Sequence, residues 1–278
     1  MANTNLKFNF GGLEVNRLGY GAMQLTGNGV FGEVEDRENA IKVLQAAVEN
    51  GVNFIDTAEA YGPKFNESLI AEALYPYSQD LVIATKGGFD RTGPNQWVPN
   101  GSPDKIRADI EGSLQRLNVT HIDLWQLHRI DPKTDVEKTL APVIEAVKSG
   151  RIKNVGLSEV SVEQIKQVES ILPIVSVQNI YNLADRKWES VLDYTAAQGL
   201  AFIPWFPLAS GPTKLEEKIK AIAEKHGATT AQIALAWLLQ RSENILLIPG
   251  TKSVAHLKEN LKAADINLTD EEFETLSK

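Results

Sequence analysis

An acid, a phenol, an ammonium and an imidazole stand at or just after the ends of three apolar runs. Asp56 and Tyr61 fall in NFIDTAEAYG, Lys86 closes LVIATK, and His128 closes IDLWQLH. Each alone has an ordinary reading: Asp56 as a turn acid, Tyr61 as a packing ring, Lys86 as a surface cation, His128 as a satisfied polar residue. Together they form a proton-delivery set. A free phenol titrates near pH 10, so a tyrosine keeps its proton at neutral pH and needs help to release it. Lys86 would supply that help by stabilising the phenolate, and Asp56 would keep Lys86 charged and positioned. His128 would donate to, or orient, a carbonyl oxygen. Such a site protonates an oxygen while a second reactant delivers to the carbon.

Placing four residues this far apart in sequence on one surface requires a repeating framework. Short β-rich runs alternate with helical patterns, the signature of βα units and a parallel sheet. Eight strand candidates occur, at 18–23, 52–57, 81–86, 122–128, 154–158, 174–180, 201–205 and 245–250. Between the first two, Ile41, Leu44, Ala47 and Val48 recur at helical spacing and Gly51 supplies a stop. Ser102 reads as an N-cap with Pro103 in the first turn, and a short helix is expected from Thr269. Eight units predict an α/β fold of the (β/α)8 TIM-barrel class, with 1–278 as a single domain. A doubly wound sheet is the rival, but GYGAMQLTG lacks the glycine spacing of its first turn. KFNFGGLEVNRL predicts a β-hairpin around Gly11-Gly12 that covers the barrel bottom. The stretches 24–36 and 87–103, rich in Gly, Pro and Asn, read as irregular loops on the C-terminal rim, where barrel active sites are built.

Composition excludes several functions. The net charge of -8 gives no global attraction for nucleic acid or an anionic membrane. There is no cysteine, hence no disulfide or thiolate chemistry, as suits a reducing compartment. The four histidines have no metal-ligand spacing, so no metal site is expected and a metal-dependent barrel hydrolase lacks its ligands. The N-terminus carries no signal-like block, and no run reaches the roughly 18 apolar residues of a membrane span. A soluble cytoplasmic protein acting on a small molecule is the expectation.

FIDTAEAYG, VIATK, DLWQLH, VGLS, SVQNIY and IPGTKSVAHLKEN, in this order, resemble the aldo-keto reductases over essentially the whole chain. The resemblance implies an NADP-dependent oxidoreductase, of alcohol dehydrogenase type, that reduces aldehydes or ketones. A hydride comes from nicotinamide C4 of NADPH, and NADH is the less favoured cofactor. Asp56, Tyr61, Lys86 and His128 match the catalytic tetrad, with Tyr61 as proton donor. Ser158 and Gln178 match residues at the nicotinamide carboxamide, and Trp205 the ring that stacks on it. Gly21, Ala22 and Met23 fall on the cofactor side of the first strand. Phe206, Pro207, Leu208 and Ser210 match the pyrophosphate loop. Gly250, Thr251, Lys252, Ser253, His256, Glu259 and Asn260 match the segment that holds adenosine and its 2′-phosphate. Met23, Trp97 and Arg129 are expected at the substrate.

The chain departs from the family pattern in places. Glu159 stands where many members have asparagine, and a glutamate can accept from the carboxamide but not donate to it. His256 takes the position of a common arginine for the 2′-phosphate. The C-terminus and the segment after His128 are short, so an open pocket of broad selectivity is expected. LGYGAMQLTG and GLSE resemble pyridoxal-type aldehyde reductases. The alternative reading is a catalytically slow nicotinamide-binding regulatory subunit, which keeps the fold without needing rapid turnover.

Overall fold

The computed structural model describes residues 6–208 and 216–278. It opens with β1 (Lys7–Phe10) and β2 (Leu13–Asn16), antiparallel with Phe10 opposite Leu13. Gly11 and Gly12 have φ of 55° and 76°, the positive values that a tight two-residue hairpin turn demands. Phe10 and Val15 are buried in one cluster with Phe54, Val82, Leu124 and Leu246, which line the interior near the strand starts. The hairpin therefore closes the N-terminal mouth, as the sequence predicts.

Seven strands form the parallel sheet: β3 (Tyr20–Gly21), β4 (Phe54–Asp56), β5 (Val82–Gly87), β8 (Ile122–Leu127), β9 (Ile152–Ser158), β10 (Ser176–Gln178) and β11 (Ala201–Phe202). They pair in chain order from β3 to β11, with β6 (Phe89–Gly93) and β7 (Gln96–Pro99) set aside as a separate hairpin. The eighth candidate, 245–250, is a joining segment rather than a full strand. Leu246 N–H donates to Phe202 O at 2.9 Å on one side, and Leu247 N–H to Arg17 O at 2.7 Å on the other, closing the barrel. Buried Arg17 reinforces this seam by donating to the carbonyls of Ile245, Leu239 and Ser242. The run 201–205 keeps its bonds to the β10 side, with Ile203 N–H on Val177 O at 2.8 Å and Trp205 N–H on Asn179 O at 3.1 Å, while Pro204 has no N–H to give on the opposite side.

Helices flank the sheet in alternation with the strands: α1 (Arg37–Glu49), α2 (Phe65–Leu74), α3 (Pro103–Arg116), α4 (Val136–Lys148), α5 (Val162–Glu169) and α6 (Glu189–Gln198). Two helices, α7 (Glu216–His226) and α8 (Thr230–Arg241), lie between β11 and the joining segment, and α9 (Val254–Leu261) follows it. On α1, Ala40, Val43, Leu44 and Ala47 make the buried stripe, while Ile41 and Val48 flank it half-buried. Ser102 occupies the N-cap of α3 but its side chain makes no capping bond. Thr269 does cap α10 (Asp270–Ser277), in a reciprocal pair with Glu272. No described helix is long and apolar enough to cross a membrane.

The stretch 87–103 is not irregular. It contains β6 (Phe89–Gly93) and β7 (Gln96–Pro99), an antiparallel hairpin on the C-terminal rim. Its Gly93-Pro94-Asn95 tip turns through Asn95 at φ 56°, which asparagine tolerates better than most residues. A segment rich in turn formers thus disguises two short strands that carry Phe89 and Trp97.

Candidate active site

Asp56 ends β4, and Lys86 sits near the end of β5 with no solvent exposure. The β4–β5 ladder continues past the strand: Thr57 N–H donates to Ala84 O at 2.8 Å and Glu59 N–H to Lys86 O at 3.0 Å. This stitches the loop carrying Tyr61 onto β5. Asn66, fully buried on α2, accepts from the Thr57 hydroxyl and donates to the carbonyls of Ala22 and Leu25. Lys86 Nζ donates to Asp56 Oδ2 at 2.6 Å, to Thr57 O at 2.8 Å and to the Tyr61 hydroxyl at 3.3 Å. All three ammonium hydrogens are used, so a cation that would be prohibitive to bury alone is held in place.

Asp56 Oδ1 faces two amides, accepting from Gln178 Nε2 at 2.8 Å and Gln126 Nε2 at 3.2 Å. Gln126 escapes the residue-type reading, although it lies two positions before His128 on β8 and so points to the same interior as its neighbour. Burial works against charge on Lys86, but Asp56 and the Tyr61 hydroxyl outweigh it and its pKa rises above the ordinary lysine value. Tyr61 is also pushed up: burial raises its pKa more than Lys86 lowers it, with Asp56 adding to the rise. At rest the phenol is therefore a protonated donor with a cation already beside it.

His128 follows β8, its N–H donating to Gly87 O at 3.0 Å. Its ring is boxed by aromatic edges, with centroids at 4.7 Å from Phe89, 5.9 Å from Tyr61 and 6.0 Å from Trp97. Burial foremost, then the positive charges of Lys86, Arg129 and Arg91, hold its pKa well below 6.5, so it is a neutral imidazole. Its buried Nδ1 has no hydrogen-bond partner. Trp97 is fixed by Arg91, whose guanidinium lies 3.5 Å from the ring centroid and donates to Ala60 O and Gly29 O. Arg129 donates to Ser158 Oγ at 2.9 Å and makes no ion pair among the described residues.

These groups open onto a cleft of about 720 Å³. Asp56, Tyr61, Trp97, His128 and Arg129 line one part; Ser158, Gln178, Trp205, Phe206, Pro207 and Leu208 line another; Gly21, Met23 and Gly250 complete it. Gln24, Val30, Phe89, Pro99, Ile130, Ile248 and Pro249 also line it and were not singled out by residue type. Lys86 lies beneath the surface. Ala22 is buried outside the cleft lining, its carbonyl bound by Asn66.

The remaining expected cofactor residues lie beyond the cleft. Thr251 is buried, and its carbonyl accepts from the Tyr20 hydroxyl at 2.7 Å. Ser253 caps α9, its hydroxyl accepting from His256 N–H, and Lys252 and His256 are exposed around that helix start. Glu259 is half-buried, and Asn260 is buried. Ser210 lies outside the described residues.

Glu159 does not line the cleft. Its backbone is left-handed at φ 54°, which costs a residue with a side chain roughly 1–2 kcal/mol. Phe206 is left-handed as well, at φ 58°, with its carbonyl held by Asn182 Nδ2 at 3.0 Å.

Residues 17–278 match the family described as aldo/keto reductase. The chain belongs to the aldo/keto reductase family. The matched region begins at Arg17, which seals the barrel seam, so every strand that carries a site residue lies within it. An uncharacterized oxidoreductase of Schizosaccharomyces pombe is 51% identical over 267 residues, covering 96% of this chain and 87% of that protein. The pyridoxine 4-dehydrogenase of Escherichia coli is 43% identical over 275 residues, covering 97% and 96%. An aldo-keto reductase from Klebsiella pneumoniae, solved in complex with NADPH, aligns at a TM-score of 0.82 and 25% identity, over 97% of this chain and 93% of that one.

Proposed function

We propose that this protein is an NADPH-dependent reductase of aldehydes or ketones in which Tyr61 is the proton donor. The observation that carries the reading is the buried Lys86 ammonium, shared between Asp56 at 2.6 Å and the Tyr61 hydroxyl at 3.3 Å at one end of the cleft. The proton on Tyr61 passes to the carbonyl oxygen of the substrate, and the phenolate left behind is stabilised by Lys86. Neutral His128 orients that oxygen without competing for charge. Asp56 holds Lys86 in place, and the Gln126 and Gln178 amides hold Asp56.

The cleft residues suit a dinucleotide. Polar Ser158 and Gln178 fit a carboxamide, the Trp205 ring fits a flat heterocycle, and Phe206, Pro207, Leu208 and Ser210 are the candidates for the pyrophosphate. Gly21, Ala22, Met23, Gly250, Thr251, Glu259 and Asn260 are the further candidates on the cofactor side. Exposed Lys252 and His256 at the start of α9, with Ser253, suit a 2′-phosphate, since that helix end also favours an anion. NADPH, when bound, supplies the hydride from nicotinamide C4.

Met23, Trp97 and Arg129 are assigned to the substrate, with Arg129 favouring a carbonyl compound that carries a carboxylate or phosphate. The pyridoxine 4-dehydrogenase relative makes pyridoxal the first substrate to try. The test is an aldehyde panel of pyridoxal, 4-nitrobenzaldehyde and methylglyoxal, followed by NADPH absorbance with NADH in parallel. Absence of turnover on every member would remove the enzymatic reading, and equal use of NADH would remove the cofactor preference.

A further inference from the structure

Glu159 has no part in the chemistry proposed above, yet three N–H donors and an ammonium converge on its carboxylate. Oε1 accepts from the Ile180 backbone N–H at 2.6 Å and from the Trp205 indole N–H at 2.8 Å. Oε2 accepts from the Trp188 indole N–H at 3.3 Å and lies 3.7 Å from Lys187 Nζ. The donors come from the segment after β10, the approach to α6 and the stretch after β11. A carboxylate offers about four acceptor sites; three are taken here by N–H donors of its own protein, with the Lys187 ammonium beside them, and none of these donors is a carboxamide.

The left-handed backbone at Glu159 directs the side chain away from the cleft, while Ser158 immediately before it lines the cleft. Trp205 is the donor with a face on the cleft. An indole has a single N–H, and tying it down fixes the rotation of the ring. The Trp205 backbone is held by its N–H to Asn179 O at 3.1 Å, and Arg129 lies 6.0 Å from its partly exposed ring, but the bond to Glu159 is the one that fixes the indole N–H. The carboxylate thus joins three strand ends and sets the plane of the aromatic wall.

We propose that Glu159 is a positioning residue that acts through Trp205, locking the indole so that its face is preorganised for the nicotinamide ring. This role rests on the cofactor reading of the cleft. Glu159→Gln keeps the side-chain length and one acceptor oxygen, but replaces the other with an amide donor that faces an N–H.

The test is a double-mutant cycle of Glu159→Gln and Trp205→Phe, read by NADPH fluorescence titration and by the indole N–H resonances in a ¹H–¹⁵N spectrum. Each single variant is expected to weaken NADPH by about 10-fold, equivalent to about 1.4 kcal/mol. The double variant should be no more than about twofold weaker than Trp205→Phe alone, because residues acting through one contact are not additive. The Trp205 indole resonance, identified by its loss in Trp205→Phe, should shift and exchange faster in Glu159→Gln without NADPH present. If Glu159→Gln melts far below wild type, Glu159→Asp replaces it in the cycle with the same expectation of non-additivity.

Wild-type affinity in Glu159→Gln, an unmoved Trp205 resonance, or losses that multiply to about 100-fold in the double variant would each overturn the role of Glu159 alone. Failure of the wild type to bind NADPH would instead overturn the cofactor reading and this role with it.

Discussion

Replacing Lys86 by methionine removes a buried cation and keeps most of the side-chain volume, so it isolates the charge. Asp56 then retains two amide donors, at 2.8 and 3.2 Å, but loses its only ion-pair partner among the described residues. Breaking a buried pair in this way costs about 3–5 kcal/mol, which lowers the melting midpoint by about 5–9 °C for a chain of this size. The loss in catalysis has a separate origin. A unit charge 3.3 Å from the Tyr61 oxygen is worth about 5 kcal/mol to a phenolate at an effective dielectric of about 20, or a factor of roughly 10³–10⁴ in rate. Adding Asp56→Asn separates the two effects. The double variant no longer buries an unpaired acid, so it should regain most of the stability while turnover stays at the level of Lys86→Met. The assays are thermal melting and aldehyde-dependent NADPH oxidation. A Lys86→Met protein that melts and turns over like wild type, or a double variant that recovers its rate, would remove Lys86 from this role.

Burial and the neighbouring cations hold His128 neutral in the fold, whereas an unfolded histidine takes up a proton below about pH 6.5, so native stability is lost as pH falls through that value. The stability difference between wild type and His128→Gln should therefore drift by up to about 1.4 kcal/mol per pH unit below 6.5 in urea titrations; a constant difference contradicts it. Arg129→Ala should lower kcat/KM for anionic aldehydes by about 10- to 100-fold more than for neutral ones, the range for a hydrogen bond to a charged group. Equal losses on both would remove Arg129 from substrate selection.

The proposed catalytic corner is legible in the sequence because it is built from strand ends. Each of 52–57, 81–86 and 122–128 is a largely apolar run with an ionisable residue at or next to its end, and a parallel barrel must bring such ends to one rim. The closing segment is less legible: ILLIPG reads as a full strand, yet it pairs only briefly with each neighbour before Pro249. The β6–β7 hairpin is obscured by glycine, proline and asparagine, which signal a turn but say nothing of the strands on either side. Contacts between distant elements leave no local trace. Gln126 depends on Asp56, 70 positions away, and the role of Glu159 depends on Trp205, 46 positions away. Glu159 looks like an imperfect cofactor residue in the sequence and is an acceptor for three N–H groups in the fold.

Tyr61 as the source of the proton is tested by single-turnover NADPH oxidation in Tyr61→Phe, with pyridoxal or the best aldehyde of the panel. Phenylalanine keeps the ring against Trp97 and His128 and removes only the hydroxyl beside Lys86. The expected rate is lower by about 10²–10⁴-fold, the range for a general acid, with NADPH affinity held within about threefold of wild type. A Tyr61→Phe protein that oxidises NADPH within about tenfold of the wild-type rate would contradict it.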